Sequence, residues 1–115
     1  MLLLLLIREV IEENNAISYE DGDILFEKIS NVIKNKGLVE LDFSGIKSLT
    51  TTFLTASIGQ LYEQYSDDVI DRTLTYKNLK VDYKKLLLEV ITRSKEFKNN
   101  SSAFEDIVDN IIYGD

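Results

Sequence analysis

The chain has 115 residues, 44% of them apolar and 29% charged, a globular balance that excludes a disordered chain and suits one domain. Its 13 Lys and Arg against 20 Asp and Glu leave a net charge of −7, which argues against sequence-independent nucleic-acid binding, because phosphate neutralisation needs clustered cations. It contains no Cys, His, Trp or Pro, so disulfides, thiolate nucleophiles, zinc–thiolate sites and imidazole bases are all excluded.

Met1–Ile7 is wholly apolar, but nothing basic precedes it and Arg8 and Glu9 end it too early for a signal peptide. It is also far shorter than the ~20 residues a membrane span requires. The run is read as a buried central strand, from Leu2 to about Val10 or Ile11, followed by a polar turn at Glu12–Asn15. The expected compartment is the cytoplasm.

Ser18 or Tyr19 opens a helix to about Asn35, with Leu25, Ile29, Val32 and Ile33 at helical spacing, and Gly37 is expected as its left-handed C-cap. Leu38–Phe43 reads as a short strand and Gly45 as part of the loop after it. Thr50–Tyr65 is a second helix, buried through Leu54, Ile58, Leu61, Tyr62 and Tyr65. Arg72–Lys77 alternates through Leu74 and Tyr76 as a strand. Val81 to about Phe97 is a third helix, buried through Leu86, Leu87, Val90, Ile91 and Phe97. Lys98–Ser101 is a polar break. Beyond it, Ser102 and Glu105 have capping-box spacing, and Phe104, Ile107, Val108, Ile111 and Ile112 repeat as on one face of a helix. This helix either packs on its own sheet or enters a partner's groove. Its acidic face would be repelled by an anionic membrane surface.

Strands alternating with helices imply parallel crossovers. The expected fold is a small α/β sandwich of three or four mostly parallel strands with helices packed on the sheet. Residues 1–100 form the domain and 101–115 the C-terminal amphipathic helix.

Leu38-Val39-Glu40-Leu41-Asp42-Phe43-Ser44-Gly45 runs through a short loop into Thr50-Thr51-Thr52-Phe53. Three hydroxyls at a helix start can cap free N–H groups, and the N–H groups there favour an anion. A hydroxyl so placed can also carry a regulatory phosphate. Asp42 is read as a loop cap or as an orienting group for a partner or ion, Phe53 and Leu49 as core, and Tyr62 and Tyr65 as core edge. The acid pairs Asp67–Asp68 and Glu12–Glu13 lack any accompanying base or nucleophile. Lys84, Lys85 and Lys95–Lys98 read as a solvated helix face.

The 38–53 pattern resembles the STAS family, the domain of anti-sigma-factor antagonists and sulfate-transporter tails. In those antagonists a strand with Asp-Leu-Ser precedes Asp-Ser-Ser-Gly at a helix start, and the first serine of that pair is phosphorylated. Asp42-Phe43-Ser44 matches the strand end, and Thr51 and Thr52 fall on the two serines. Thr50 stands where the family has aspartate and Phe53 where it has glycine. A closer likeness is to divergent STAS-like domains of unknown function from bacteria and phage. Asp42-Phe43, Thr52-Phe53 and Gly59-Gln60-Leu61 follow their outline, and Ser18-Tyr19-Glu20-Asp21-Gly22 resembles their helix start, over residues 1–97. The resemblance implies a non-enzymatic regulatory domain, without cofactor or metal, that docks a protein partner through Asp42, Ser44, Gly45, Thr50, Thr52 and Phe53. Thr51 is the candidate phosphoacceptor, and the partner type is an anti-sigma protein or a histidine-kinase-like ATPase. The alternatives are a small-ligand or nucleotide-sensing domain, or an oligomerisation module using the first strand as an edge or the last helix as an arm.

Overall fold

The computed structural model describes the backbone of residues 1–112 and the side chains of residues 1–98. Its core is a three-stranded parallel sheet of β1 (Leu2–Leu6), β3 (Leu38–Asp42) and β5 (Leu74–Lys77), in the order β1-β3-β5. A second, two-residue parallel pairing joins β2 (Asn15–Ala16) to β4 (Ser48–Leu49). The helices are α1 (Ile7–Val10), α2 (Tyr19–Lys34), α3 (Thr51–Leu54), α4 (Gln60–Gln64), α5 (Asp67–Thr73) and α6 (Val81–Ile112). Thr55–Gly59 is a π-helical turn that joins α3 to α4 without interruption. This is the α/β layer that the alternating pattern predicts.

The register aligns Leu3 with Val39 and Leu74, and Leu5 with Leu41 and Tyr76. Those residues form the inner face, and most of them are buried against the helices. The alternate rows, Leu2 with Leu38 and Leu4 with Glu40 and Thr75, form the outer face. There Leu2, Leu4 and Leu38 remain 60%, 52% and 44% exposed. The expectation of a buried central strand is thereby corrected. The apolar run is an edge strand covered on one face only, and it stops at Leu6 because the chain turns helical at Ile7. An unbroken apolar run looks the same whether one face or both are covered.

Ser18 caps α2 by accepting the Asp21 N–H at 3.1 Å. The other end closes in a Schellman arrangement: the Gly37 N–H reaches the Val32 carbonyl and the Lys36 N–H the Ile33 carbonyl, both at 2.9 Å. That geometry gives Lys36 the left-handed conformation (φ 60°), so the expected left-handed cap at Gly37 lies one residue earlier. The short helix α5 corrects the start of the third main strand. Ser66 accepts the Val69 N–H, Asp67 and Asp68 occupy the first turn, and the strand begins only at Leu74. Ser66-Asp67-Asp68 is a recognisable helix start that the Leu74/Tyr76 alternation masks.

α6 runs unbroken from Val81 to Ile112, so the polar stretch at Lys98–Ser101 does not interrupt the helix. The side chains of the expected Ser102–Glu105 cap and of the stripe from Phe104 to Ile112 lie outside the described residues. Leu87 and Val90 are buried as predicted, whereas Phe97 is exposed. Lys95 and Lys98 are not merely solvated. Lys95 pairs with Asp71 at 3.4 Å, and Lys98 with Asp67 at 2.8 Å. Lys98 also donates to the Tyr62 carbonyl at 2.8 Å, satisfying a C-terminal group of α4. The Tyr62 hydroxyl donates a hydrogen bond to the Asp71 carboxylate, and burial followed by that hydrogen bond pushes the phenol well above its ordinary range.

α2 approaches α3 and the π-turn closely at Gly22. A Cβ built on Gly22 would stand 2.6 Å from the Phe53 carbonyl oxygen and 2.7 Å from the Ala56 Cβ. The Phe53 carbonyl also accepts the buried Ser57 hydroxyl at 2.8 Å, and the Gln60 side-chain amide donates to the Ala56 carbonyl at 2.7 Å. These two bonds satisfy carbonyls in the region where the π-turn shifts the backbone ladder. Replacing a helical Gly by Ala ordinarily gains up to ~1 kcal/mol in propensity. Gly22→Ala is expected to reverse that sign and cost about 1–3 kcal/mol by overpacking. Urea denaturation checks this, and an unchanged or raised midpoint would refute the close-approach account.

Candidate functional site

The carboxyl ends of the parallel strands meet the start of α3. This is the side of an open α/β sheet where loops gather and ligands or partners are commonly held. Asp42 ends β3. Its side chain is buried, and Oδ1 accepts the Ser44 N–H and the Asn78 side-chain amide, each at 2.9 Å. These two hydrogen bonds, Asn78 first, hold its carboxyl below the usual carboxylate range. Asn78 follows β5 in a left-handed conformation (φ 57°), which Asn tolerates better than most residues. Asp42 thus ties the loop after β3 to the loop after β5, and the Phe43 N–H adds a bond to the Lys77 carbonyl at 3.0 Å.

The chain then turns through Gly45 at φ 78°. A Cβ there would stand 2.7 Å from Cδ of Arg8, so the arginine stem lies directly over the loop. Beyond the turn, the Lys47 N–H donates to the Asn14 carbonyl at 2.8 Å, and the Tyr83 hydroxyl donates to the Lys47 carbonyl at 3.0 Å. The Thr50 N–H reaches the Ala16 carbonyl at 3.1 Å. The Thr50 hydroxyl accepts the Phe53 N–H at 3.2 Å and donates to the Ile17 carbonyl at 2.8 Å. It therefore caps α3 while tying it to the segment that leads into α2.

The predicted site residues separate into two groups. Asp42 and Phe53 are buried and serve the fold: Asp42 is the loop cap, and Phe53 has no surface left for a partner. Ser44, Thr50 and Thr51 are half-buried, while Gly45 and Thr52 are exposed beside exposed Lys47 and Ser48. Thr51 is the first helical residue after the cap. Arg8, Asn78 and Tyr83 escaped the sequence reading. Asn78, just past an alternating strand, carried a weak turn signal. Arg8 and Tyr83 carried none, because their role depends on where β1 and α6 lie.

The sheet, the capped helix start and the Asp42-anchored loop define an open-faced parallel α/β domain with its loops at the strands' carboxyl ends. A family model described as the STAS-like domain of unknown function (DUF4325) matches residues 21–84, more than half of the chain. The protein belongs to that family. Neither the curated proteins nor the solved structures give a match. The matched span runs from the start of α2 to the start of α6, and so contains the Gly22 contact and the whole 42–53 loop and cap.

Because the fold favours the ionised carboxylate of Asp42, the stabilisation is present above the ordinary carboxylate pKa and lost as pH falls through the lower folded value. Asp42→Asn is expected to cost about 1.5–3 kcal/mol at pH 7, the range for hydrogen bonds to a charged acceptor. The gap from wild type should shrink as pH drops below ~4. Denaturation at both pH values measures this, and a gap constant with pH would remove the charge from the account.

Proposed function

We propose that this STAS-like domain is a non-enzymatic regulatory module that docks a protein partner on the loop 44–50 and the first turn of α3. The observation that carries the reading is a contrast within one short segment. The loop backbone is pinned to Asp42, Lys77, Asn14, Ala16 and Tyr83, while Gly45, Lys47, Ser48 and Thr52 face solvent. A rigid frame presenting exposed polar groups on a loop is a common arrangement for recognition. The absence of His and Cys from the sequence supports a binding role over a catalytic one. The partner type suggested by the antagonist resemblance is an anti-sigma protein or a histidine-kinase-like ATPase, and the compartment is the cytoplasm. Among the described residues no helix is long and apolar enough to cross a membrane.

Thr51 is the residue on which a regulatory phosphate would act. At the first helical position its added charge meets the positive end of the helix, worth about 0.3–1 kcal/mol, while changing the docking surface. Thr51→Glu is therefore expected to keep or raise the melting temperature and to reduce partner retention from a host lysate several-fold. Lys47→Glu combined with Thr52→Arg should abolish retention without unfolding the protein. Equal retention by the wild type and both variants would overturn the docking reading.

A second reading, a sensor of anionic small ligands or nucleotides, is favoured by the Arg8 stem over Gly45 at the strands' carboxyl ends. Mass action separates the two: a bound nucleotide at ~100 times its Kd adds about 2.7 kcal/mol of stability. A thermal-shift series with nucleotides and inorganic phosphate reads this out, and flat melting curves would eliminate the sensor.

A further inference from the structure

The free edge of β1 is an unusual feature for a parallel sheet. Such sheets are normally covered on both faces, and exposed edges are normally protected by charge, Pro or bulges. Here β1 is five leucines, Leu2–Leu6, with no charge and no Pro, at one end of the sheet order. The Leu38 N–H donates to the Met1 carbonyl at 2.9 Å. That bond sets the ladder, so Leu3 and Leu5 turn their peptide groups toward β3 while Leu2 and Leu4 turn theirs outward. Among the described residues no strand pairs with this outer edge. Leu2 and Leu4 also hold exposed side chains on the outer sheet face, beside exposed Leu38.

We propose that a second copy of this chain occupies the edge, with the two β1 strands pairing antiparallel about Leu4. The occupant follows from symmetry and charge. Centred on Leu4, the edge is complementary to itself. The two Leu4 residues exchange N–H and carbonyl, and each Leu6 N–H meets the Leu2 carbonyl of the other copy. Leu2, Leu4 and Leu6 of one chain then flank Leu6, Leu4 and Leu2 of the other on the same face, and the two sheets become one of six strands. On a molecule of net charge −7, a strand without charged residues lets two copies pair without setting like charges face to face along it. The exposed leucine strip amounts to on the order of a few hundred Å² per copy, short of the roughly 800 Å² per partner of a standard interface. The expected dimer is accordingly weak, with a dissociation constant on the order of tens of micromolar. This proposal is independent of the docking loop at 44–50.

The test uses the full chain in sedimentation velocity across a concentration series reaching about 500 µM, well above the expected constant. The mass should double over the series. Leu4→Lys, which sets like charges face to face across the two-fold axis, should hold the chain monomeric. Leu38→Lys, on the same face but one strand inward, should leave the dimer intact. The natural chain has no Cys, so Leu4→Cys supplies a second readout that needs no charge insertion. The two Leu4 positions would lie about 5.5 Å apart between Cα atoms, within disulfide reach. Oxidation should link Leu4→Cys chains much faster than Leu38→Cys chains. A monomer at every concentration would overturn the proposal. So would a dimer that survives Leu4→Lys but is lost with Leu38→Lys, which would indicate stacked sheet faces.

Discussion

The approach of α2 to α3 at Gly22 sets the distances on which the rest of the fold depends. The Phe53 carbonyl lies where a side chain on residue 22 would be, and it accepts the Ser57 hydroxyl as well. A peptide oxygen buried this deeply needs a hydrogen-bond partner and has room for little else. Both helices begin close to this crossing. Ser18 caps one, Thr50 caps the other, and the Thr50 hydroxyl bonds to the residue just before Ser18. Fixing the crossing therefore fixes where α3 starts, and with it the placement of Thr51 and Thr52 relative to the loop that Asp42 holds. The start of α3 and the core contact are two ends of one construction.

The sheet carries the opposite tension. Three parallel strands bury one face under helices and leave leucines on the other. On the inner face, Val39 and Leu41 of the central strand are fully buried. At the edge, the same type of side chain alternates between buried and exposed along a single strand. Local sequence cannot encode that difference, since Leu5 and Leu4 differ only in which way the pleat turns them.

Much of the fold is legible in the sequence. Ser18 and Thr50 are good caps at the right places, Leu25 and Ile29 mark the buried face of α2, and alternation marks β5. The errors have physical causes. An all-leucine run has no polar residue to reveal an open face, so β1 reads as a central strand. Asn99, Asn100, Ser101 and Ser102 are weak helix formers, but propensity differences of a few tenths of a kcal/mol per residue do not end a helix. α5 was hidden because it passes into β5 with no intervening loop. At the site, Asp42, Gly45 and Thr50 were visible as turn and cap types. Asn78 shows only as a weak turn signal and Arg8 and Tyr83 not at all, because their contacts join segments far apart in the chain.

The sequence by itself determined the alternation of strand and helix, the helix starts and the exclusion of thiol and imidazole chemistry. These follow from residue type and spacing, which act over one or two turns. It also carried the order of motifs that places the chain in its family. Only the tertiary structure decided that β1 is an edge, that Phe53 is core while Thr52 is surface, and that Asp42 is bonded to Asn78. Strand order and burial arise from long-range packing, in which a residue's neighbours lie tens of positions away along the chain.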